Sequence, residues 1–191
     1  MLGRLEPPSQ LTTMPSYRDP WSGLRHAPDV VRYEPPMSES MAEMDPRFFR
    51  QVLDYPTQEK PGSIVIDTRG RYLYYVEGQG KAIRYGVGVG RAGFEWRGTK
   101  QVSAKRAWPE WRPPAEMLAR RPDLPVWMAG GPSNPLGARA IYLGSSLYRI
   151  HGSNEPDSIG QAVSSGCFRM HNADVIDLYQ RVKIGTRVVV I

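Results

Sequence analysis

The chain carries one cysteine and three histidines, and their spacing decides what chemistry they can do. Cys167 lies in VSSGCFRM (163–170), behind Ser164, Ser165 and Gly166 and ahead of Phe168 and Arg169. A lone cysteine most often packs as a small hydrophobe. A nucleophilic one needs a base or cation to produce thiolate, a group to orient that base, and donors for an oxyanion. His171 follows Cys167 by four residues and His151 precedes it by sixteen. His171 stands before a predicted helix cap and reads as a half-exposed structural histidine. His151 ends the apolar run LYRI and is followed by Gly152. A strand end projects a base rigidly, so His151 and Cys167 form the candidate pair. The competing reading is a satisfied structural histidine beside a buried thiol.

The neighbours have physical uses too. Gly166 permits close backbone approach, so that consecutive N–H groups can face the site as an oxyanion hole. Arg169 can hold thiolate, bind a substrate carboxylate through its planar fork, or form a surface ion pair. Ser164 and Ser165 can hydrogen-bond the sulfur, the base or the backbone, and the sequence does not separate these.

A second pattern is a decoy. Gly88, Gly90 and Gly93 spell G-x-G-x-x-G, but a dinucleotide site needs that turn to open a helix. The next residues, FEWRGTK, have no helical period. Glycines at strand positions fit a bulge or close backbone approach instead.

The elements that must position these residues are mainly strands. Residues 1–44 are rich in Pro, Ser, Met and charge without periodicity, and read as an extended or disordered tail. DPRFFRQVLDY, within residues 45–61, reads as a short helix and linker, capped by Asp45 with Pro46 at its first position. From residue 62 to 191 the runs SIVID (63–67), RYLYYVE (71–77), KAIRYGVGV (81–89), TKQVSAKRA (99–107), ARAIYL (138–143), LYRIHG (147–152) and TRVVVI (186–191) are β-branched and aromatic. Glycine-bearing turns separate the first of them. Residues 108–137 are dense in Pro and Trp. A loop this long in a compact domain is functional or disordered, and its tryptophans favour an ordered cap. A helix is expected from Asn172, its cap, with Val175, Ile176, Tyr179 and Val182 on one face. The fold class is therefore mostly β with one or two short helices.

Bulk properties narrow the function. The net charge of +6 suits an anionic partner such as nucleic acid, anionic lipid or an acidic wall polymer. The basic residues are scattered, however, and no nucleic-acid module is present. The single cysteine and three histidines make no zinc pattern. No stretch approaches the roughly 18 apolar residues of a membrane span. The first twenty residues do not read as a signal peptide, which leaves a cytosolic protein or a leader absent from this chain.

The segment HGSNEPDSIGQAVSSGCFRMHNADVIDLYQRVKIGTRVVV resembles the catalytic segment of the L,D-transpeptidases, the YkuD-type domain of bacterial wall enzymes. His151–Gly152 and Ser164-Ser165-Gly166-Cys167-Phe168-Arg169 carry the likeness. NPLGARAIYL (134–143) and the β-runs from Gly62 extend it, while residues 1–61 have no counterpart. The resemblance implies a β-sandwich with the cysteine in a cleft under a long Trp/Pro-rich lid. It implies Cys167 as nucleophile, His151 as base and acid, the Gly152 carbonyl as its orienting group, and N–H groups near Gly166 and Cys167 as oxyanion donors. Ser164 and Ser165 would shape the site, and Ser165 stands where many members have a second histidine. Arg169, Trp108 and Trp111 would contact substrate.

The implied substrate is a peptidoglycan tetrapeptide stem that loses D-alanine and is passed to an amine. That amine belongs to a second stem, a lipoprotein or an outer-membrane protein. Water as acceptor would make the protein a carboxypeptidase, and a degenerate site would make it a wall-binding module. No metal or organic cofactor is implied. The expected location is periplasmic or wall-facing.

Overall fold

The computed structural model describes residues 45–191. The tail reading of residues 1–44 lies outside them. Eleven strands are present among the described residues: β1 Gln51–Asp54, β2 Ile64–Asp67, β3 Tyr72–Gly78, β4 Lys81–Gly86, β5 Val89–Gly90, β6 Gly98–Ala107, β7 Arg139–Leu143, β8 Arg149–His151, β9 Ala162–Ser164, β10 Phe168–Arg169 and β11 Arg187–Val190. Nine of them form one sheet in the order β1-β4-β3-β2-β11-β6-β7-β8-β10, and β5 pairs with β9. The architecture is mostly β with two short α-helices, α1 Ala115–Arg120 and α2 Asn172–Arg181, as expected.

The β-branched and aromatic runs, with glycine-bearing turns between them, explain the first hairpins. Ile64, Val65 and Ile66 of β2 are all buried, as in a strand covered on both faces, and Leu73 of β3 is fully buried between half-buried neighbours. The β3–β4 turn uses Gln79 and Gly80, both at positive φ, the geometry that matches the strand twist of a tight hairpin. The C-terminal β11 does not sit at an edge. It inserts between β2, to which it is parallel, and β6, to which it is antiparallel. Val188 and Val190 are buried there.

The ten-residue β6 joins the two halves. Its first part pairs with β11 and its remainder, from Val102, pairs with β7, with an irregularity between Val102 and Ala104. A bulge bends a strand and increases its twist. One core therefore collects Ile64, Leu73 and Tyr85 from one half with Ile141, Leu143, Ile150 and Phe168 from the other. Each such aliphatic side chain stabilises the fold by about 1.5–3 kcal/mol relative to exposure.

Two local expectations are corrected. DPRFFRQVLDY is not a helix. Asp45 accepts from the Arg47 N–H and Pro46–Phe48 make one 3₁₀ turn, after which the chain extends. Gln51–Asp54 then pairs with β4, and Val52 is exposed. Ladder hydrogen bonds along β4 outweigh a weak local helical period. Only Phe48 of that apolar face is buried, packed with Ile159. On α2 the buried face is Val175 and Leu178, continued by Val182, rather than one that includes Ile176.

The Trp/Pro-rich segment between β6 and β7 is tied to itself. Trp111 and Met128 exchange backbone bonds of 2.8 and 2.9 Å. The side chain of the buried Asn134 donates to the carbonyls of Pro109 and Ala129 and accepts from the Leu136 N–H. Trp127 Nε1 donates to Glu110 at 2.9 Å. Trp111 is buried, Trp108 half-buried and Trp127 exposed.

Candidate active site

Two short parallel strands build the site. In β8 Ile150 points into the core, and in β10 Phe168 does the same. They are register partners, as are His151 and Arg169. Side chains alternate along a strand, so Arg149 and His151 project from the opposite face. Arg169, and Cys167 two residues before it, project on that same face. The alternation brings a thiol, an imidazole and two guanidinium groups into one patch.

His151 is held at three points. Its carbonyl accepts from the Met170 N–H at 2.8 Å, and the next N–H, that of Gly152, donates to the Arg139 carbonyl at 3.0 Å. The ring Nδ1 lies 2.6 Å from the Gly152 carbonyl. A carbonyl only accepts, so Nδ1 carries the hydrogen and Nε2 is the basic nitrogen. Burial pushes this imidazole down to about 4, and the nearby Arg169 and Arg149 push the same way, while the Gly152 carbonyl opposes them. At neutral pH His151 is therefore an uncharged base.

The thiol is half-buried and donates to the Leu147 carbonyl at 3.6 Å. Burial raises its pKa above the ordinary value. Arg149 opposes this through its charge, its backbone N–H and its side chain, and Arg169 adds a smaller pull. The resting pair is thus a neutral thiol and a neutral imidazole, and proton transfer belongs to the moment of attack.

The loop before the thiol is braced from both sides. Ser164 Oγ donates to the Cys167 carbonyl at 2.6 Å and accepts from the Gly166 N–H at 3.1 Å. The role of Ser164 left open by sequence is therefore backbone bracing. The Gly166 N–H is committed to that hydroxyl, so Gly166 shapes the loop and is not a free oxyanion donor. It has φ +100°, and a Cβ there would overlap the Tyr148 ring. Trp96 Nε1 donates to the Gly166 carbonyl at 3.1 Å, and Trp96 stacks on Tyr148 at 4.6 Å.

Other expectations resolve by position. Arg169 is engaged by Glu155 at 2.6 Å, the ion-pair alternative. Ser165 is half-buried within the braced loop. Trp108 and Trp111 lie on the segment between β6 and β7, where the Trp108 N–H donates to the Ala138 carbonyl. His171 is buried, not half-exposed, and immediately precedes α2. Asn172 does not cap α2. Its Oδ1 accepts from the Ala138 N–H at 2.9 Å and its Nδ2 donates to the Ser153 carbonyl at 3.0 Å. Gly88 and Gly90 serve close packing, against Ser158 and Phe94, as the glycine pattern led us to expect.

Sequence reasoning missed Arg149, Asn172, Trp96 and Tyr148. A signal existed for Arg149: in the polar–apolar–polar triplet Arg149-Ile150-His151, a strand must put the arginine on the histidine's face. No local signal marks Trp96, which reaches Gly166 from 70 residues away.

The chain is similar to known proteins in sequence and in fold. The family model described as the L,D-transpeptidase catalytic domain, YkuD, matches residues 61–190. The probable L,D-transpeptidase YbiS of Escherichia coli K12 is 37% identical over 146 residues, covering 72% of this chain and 47% of that protein. The chain thus spans about half the length of that curated relative. A solved Brucella melitensis chain named as a probable carnitine operon oxidoreductase is 47% identical, with a TM-score of 0.53, covering 80% of this chain and all of that one. An L,D-transpeptidase from Mycobacterium smegmatis shares the fold, with a TM-score of 0.53 at 20% identity, over 67% of this chain and 57% of its own.

Proposed function

Because the chain belongs to the YkuD family of L,D-transpeptidase catalytic domains, we propose that it is a cysteine acyltransferase acting on peptidoglycan tetrapeptide stems. The observation that carries this reading is the 2.6 Å bond from His151 Nδ1 to the Gly152 carbonyl, which leaves Nε2 as a base on the face that also bears Cys167.

That arrangement sets the order of steps. His151 Nε2 takes the thiol proton as Cys167 Sγ attacks the carbonyl of the third stem residue. The carbonyl oxygen gains the negative charge, and the Cys167 N–H serves as its donor. Collapse breaks the carbon–nitrogen bond, and the proton on Nε2 goes to the departing D-alanine amine. The thioester is then attacked by an acceptor amine, whose proton passes to His151, and the thiol is restored.

Around this chemistry, the segment between β6 and β7, with Trp108 and Trp111, walls the donor groove as a lid and limits water. Arg169 binds a stem carboxylate by exchanging it for Glu155. The acceptor is a second stem, which yields a 3-3 cross-link, and the setting is the periplasm or wall face. No helix among the described residues is long and apolar enough to cross a membrane. The oxidoreductase name of the Brucella chain is not carried over, since Gly88, Gly90 and Gly93 lead into a turn and β6 rather than a helix.

Mass analysis of purified protein incubated with tetrapeptide muropeptides tests the proposal. Cross-linked dimers are expected, together with a covalent carbapenem adduct that Cys167→Ala removes. Loss of alanine alone would make the protein a carboxypeptidase. Absence of both product and adduct would make it a non-catalytic wall-binding module.

A further inference from the structure

Arg149 is the residue of the site that no established role accounts for. Its Nε is buried and has no hydrogen-bond partner. Among the described residues no carboxylate lies within ion-pair reach of its guanidinium, whereas Arg169 on the neighbouring strand has Glu155 at 2.6 Å. A cation withdrawn even in part from water without a counter-charge is costly and is normally paired. Its surroundings are defined. The cross-strand partner is Tyr142 of β7, whose ring centroid lies 5.3 Å from the guanidinium carbon. On the β10 side, the register Phe168–Ile150 sets Cys167 beside Arg149. In that position the Arg149 charge, its backbone N–H and its side chain all act to lower the Cys167 pKa, against the burial that raises it.

We propose that Arg149 is a further catalytic residue: the thiolate of Cys167 is the missing counter-ion of its partly buried guanidinium. This rests on the cysteine acyltransferase reading above. In many thiol enzymes the imidazolium formed by proton transfer could fill this role. Here His151 is buried beside two arginines, so a standing imidazolium is disfavoured. A guanidinium, by contrast, brings a permanent positive charge. When the S–H bond breaks and the proton moves to His151 Nε2, the sulfur's negative charge forms against a cation already in place. When the sulfur lone pair closes the carbon–sulfur bond, that charge moves to the carbonyl oxygen and Arg149 is again unpaired. Its cost in the resting state becomes stabilisation of the thiolate.

The charged and titratable groups around the thiol are few. They are Arg149 and His151 from β8, Arg169 from β10 with its partner Glu155, Tyr142 from β7, Tyr148 just before β8 against the Gly166 loop, and Lys100 of β6 over the Tyr148 ring. Of these, Arg149 alone is set beside Cys167 by the strand register and carries a charge that no carboxylate balances.

The test is the pH dependence of Cys167 alkylation by iodoacetamide, a neutral reagent that requires no stem peptide. Arg149→Gln is expected to raise the midpoint of the rate profile by about one unit or more. That corresponds to roughly tenfold slower alkylation near pH 7.5, where the rate follows the thiolate fraction. Arg149→Lys is expected to recover more than half of that loss on a logarithmic scale. Should Arg149→Gln not fold, Arg149→Met keeps the apolar stem and carries the same reading. A neutral variant that alkylates within twofold of wild type at every pH overturns the proposal. So does a lysine variant no better than the neutral one, because charge would then not be the cause. Muropeptide turnover is read separately. A shifted alkylation profile without turnover would sink the transpeptidase reading alone, and turnover with an unshifted profile would sink this one alone.

Discussion

Asn172 Oδ1 occupies the space that a Cβ on Gly152 would fill. The same oxygen accepts from the Ala138 N–H, and the amide nitrogen of Asn172 reaches the Ser153 carbonyl. One side chain at the start of α2 thus fastens the entry to β7 and the exit from β8, with the Gly152 carbonyl held between them to orient His151.

Gly152→Ala should therefore fail by collision rather than by lost flexibility. It should lower kcat/KM at least about 100-fold, since base orientation is lost. Asn172→Ala leaves two backbone groups without partners, at about 1–3 kcal/mol each if they stay buried. Its melting temperature should fall and kcat should fall with it. An Asn172→Ala protein with wild-type kcat would separate this side chain from the site.

Gly166→Ala places a side chain at φ +100° against the Tyr148 ring and the Phe94 carbonyl. Both strain and overlap act on the loop that presents Cys167. Alkylation of Cys167 and stem turnover should both drop by at least tenfold in soluble protein. Tyr148→Ala, which removes the ring contact, should restore part of the loss in the double variant.

The two histidines near the thiol should behave differently. His151→Gln removes the base and should reduce kcat/KM by about 10²–10⁴-fold. His171→Ala should cost stability, because the residue is buried, and should leave kcat/KM within about tenfold of wild type. The acid limb of kcat/KM in the wild type should lie near pH 4, the value to which burial and the arginines push His151. Arg169→Gln should move that limb to higher pH. An acid limb near 6.5 in the wild type would show that His151 is not the base.

Stability against pH should reveal two opposing groups. His151 falls from 6.5 unfolded to about 4 folded. The unfolded chain then binds more protons between those values, so stability rises with pH across pH 4 to 6.5, by about 3 kcal/mol in all. Asp174 rises from 3.8 to about 6, through burial and the nearby Asp177. Its contribution is full below 3.8 and is lost as pH rises through about 6, again by about 3 kcal/mol. The wild type should show a shallow profile over pH 4 to 6. Asp174→Asn should steepen the rise, and His151→Gln should turn it into a decline. Parallel denaturation curves for all three proteins would contradict this assignment.

Much of the domain was legible from one-dimensional patterns. The short β-branched and aromatic runs SIVID, RYLYYVE and ARAIYL, bounded by turn residues, specify strands. Reading failed where long-range pairing outweighed local preference. DPRFFRQVLDY has a helical apolar spacing, yet the free edge of β4 takes Gln51–Asp54 as a strand. Asn172 carries a strong capping propensity, yet the groups it satisfies belong to Ala138 and Ser153.

The chemistry divides the same way. By itself the sequence determined the candidate reacting atoms, a single thiol and a histidine at a strand end followed by glycine, because residue type sets what an atom can do. Only the tertiary structure decided which neighbours act on them. Arg149 meets Cys167 because β8 and β10 run parallel in one register. Ser164 takes the Gly166 N–H because the loop folds back on itself. Trp96 reaches Gly166 across 70 residues. Such contacts depend on distances across strands, and spacing along one chain does not encode them.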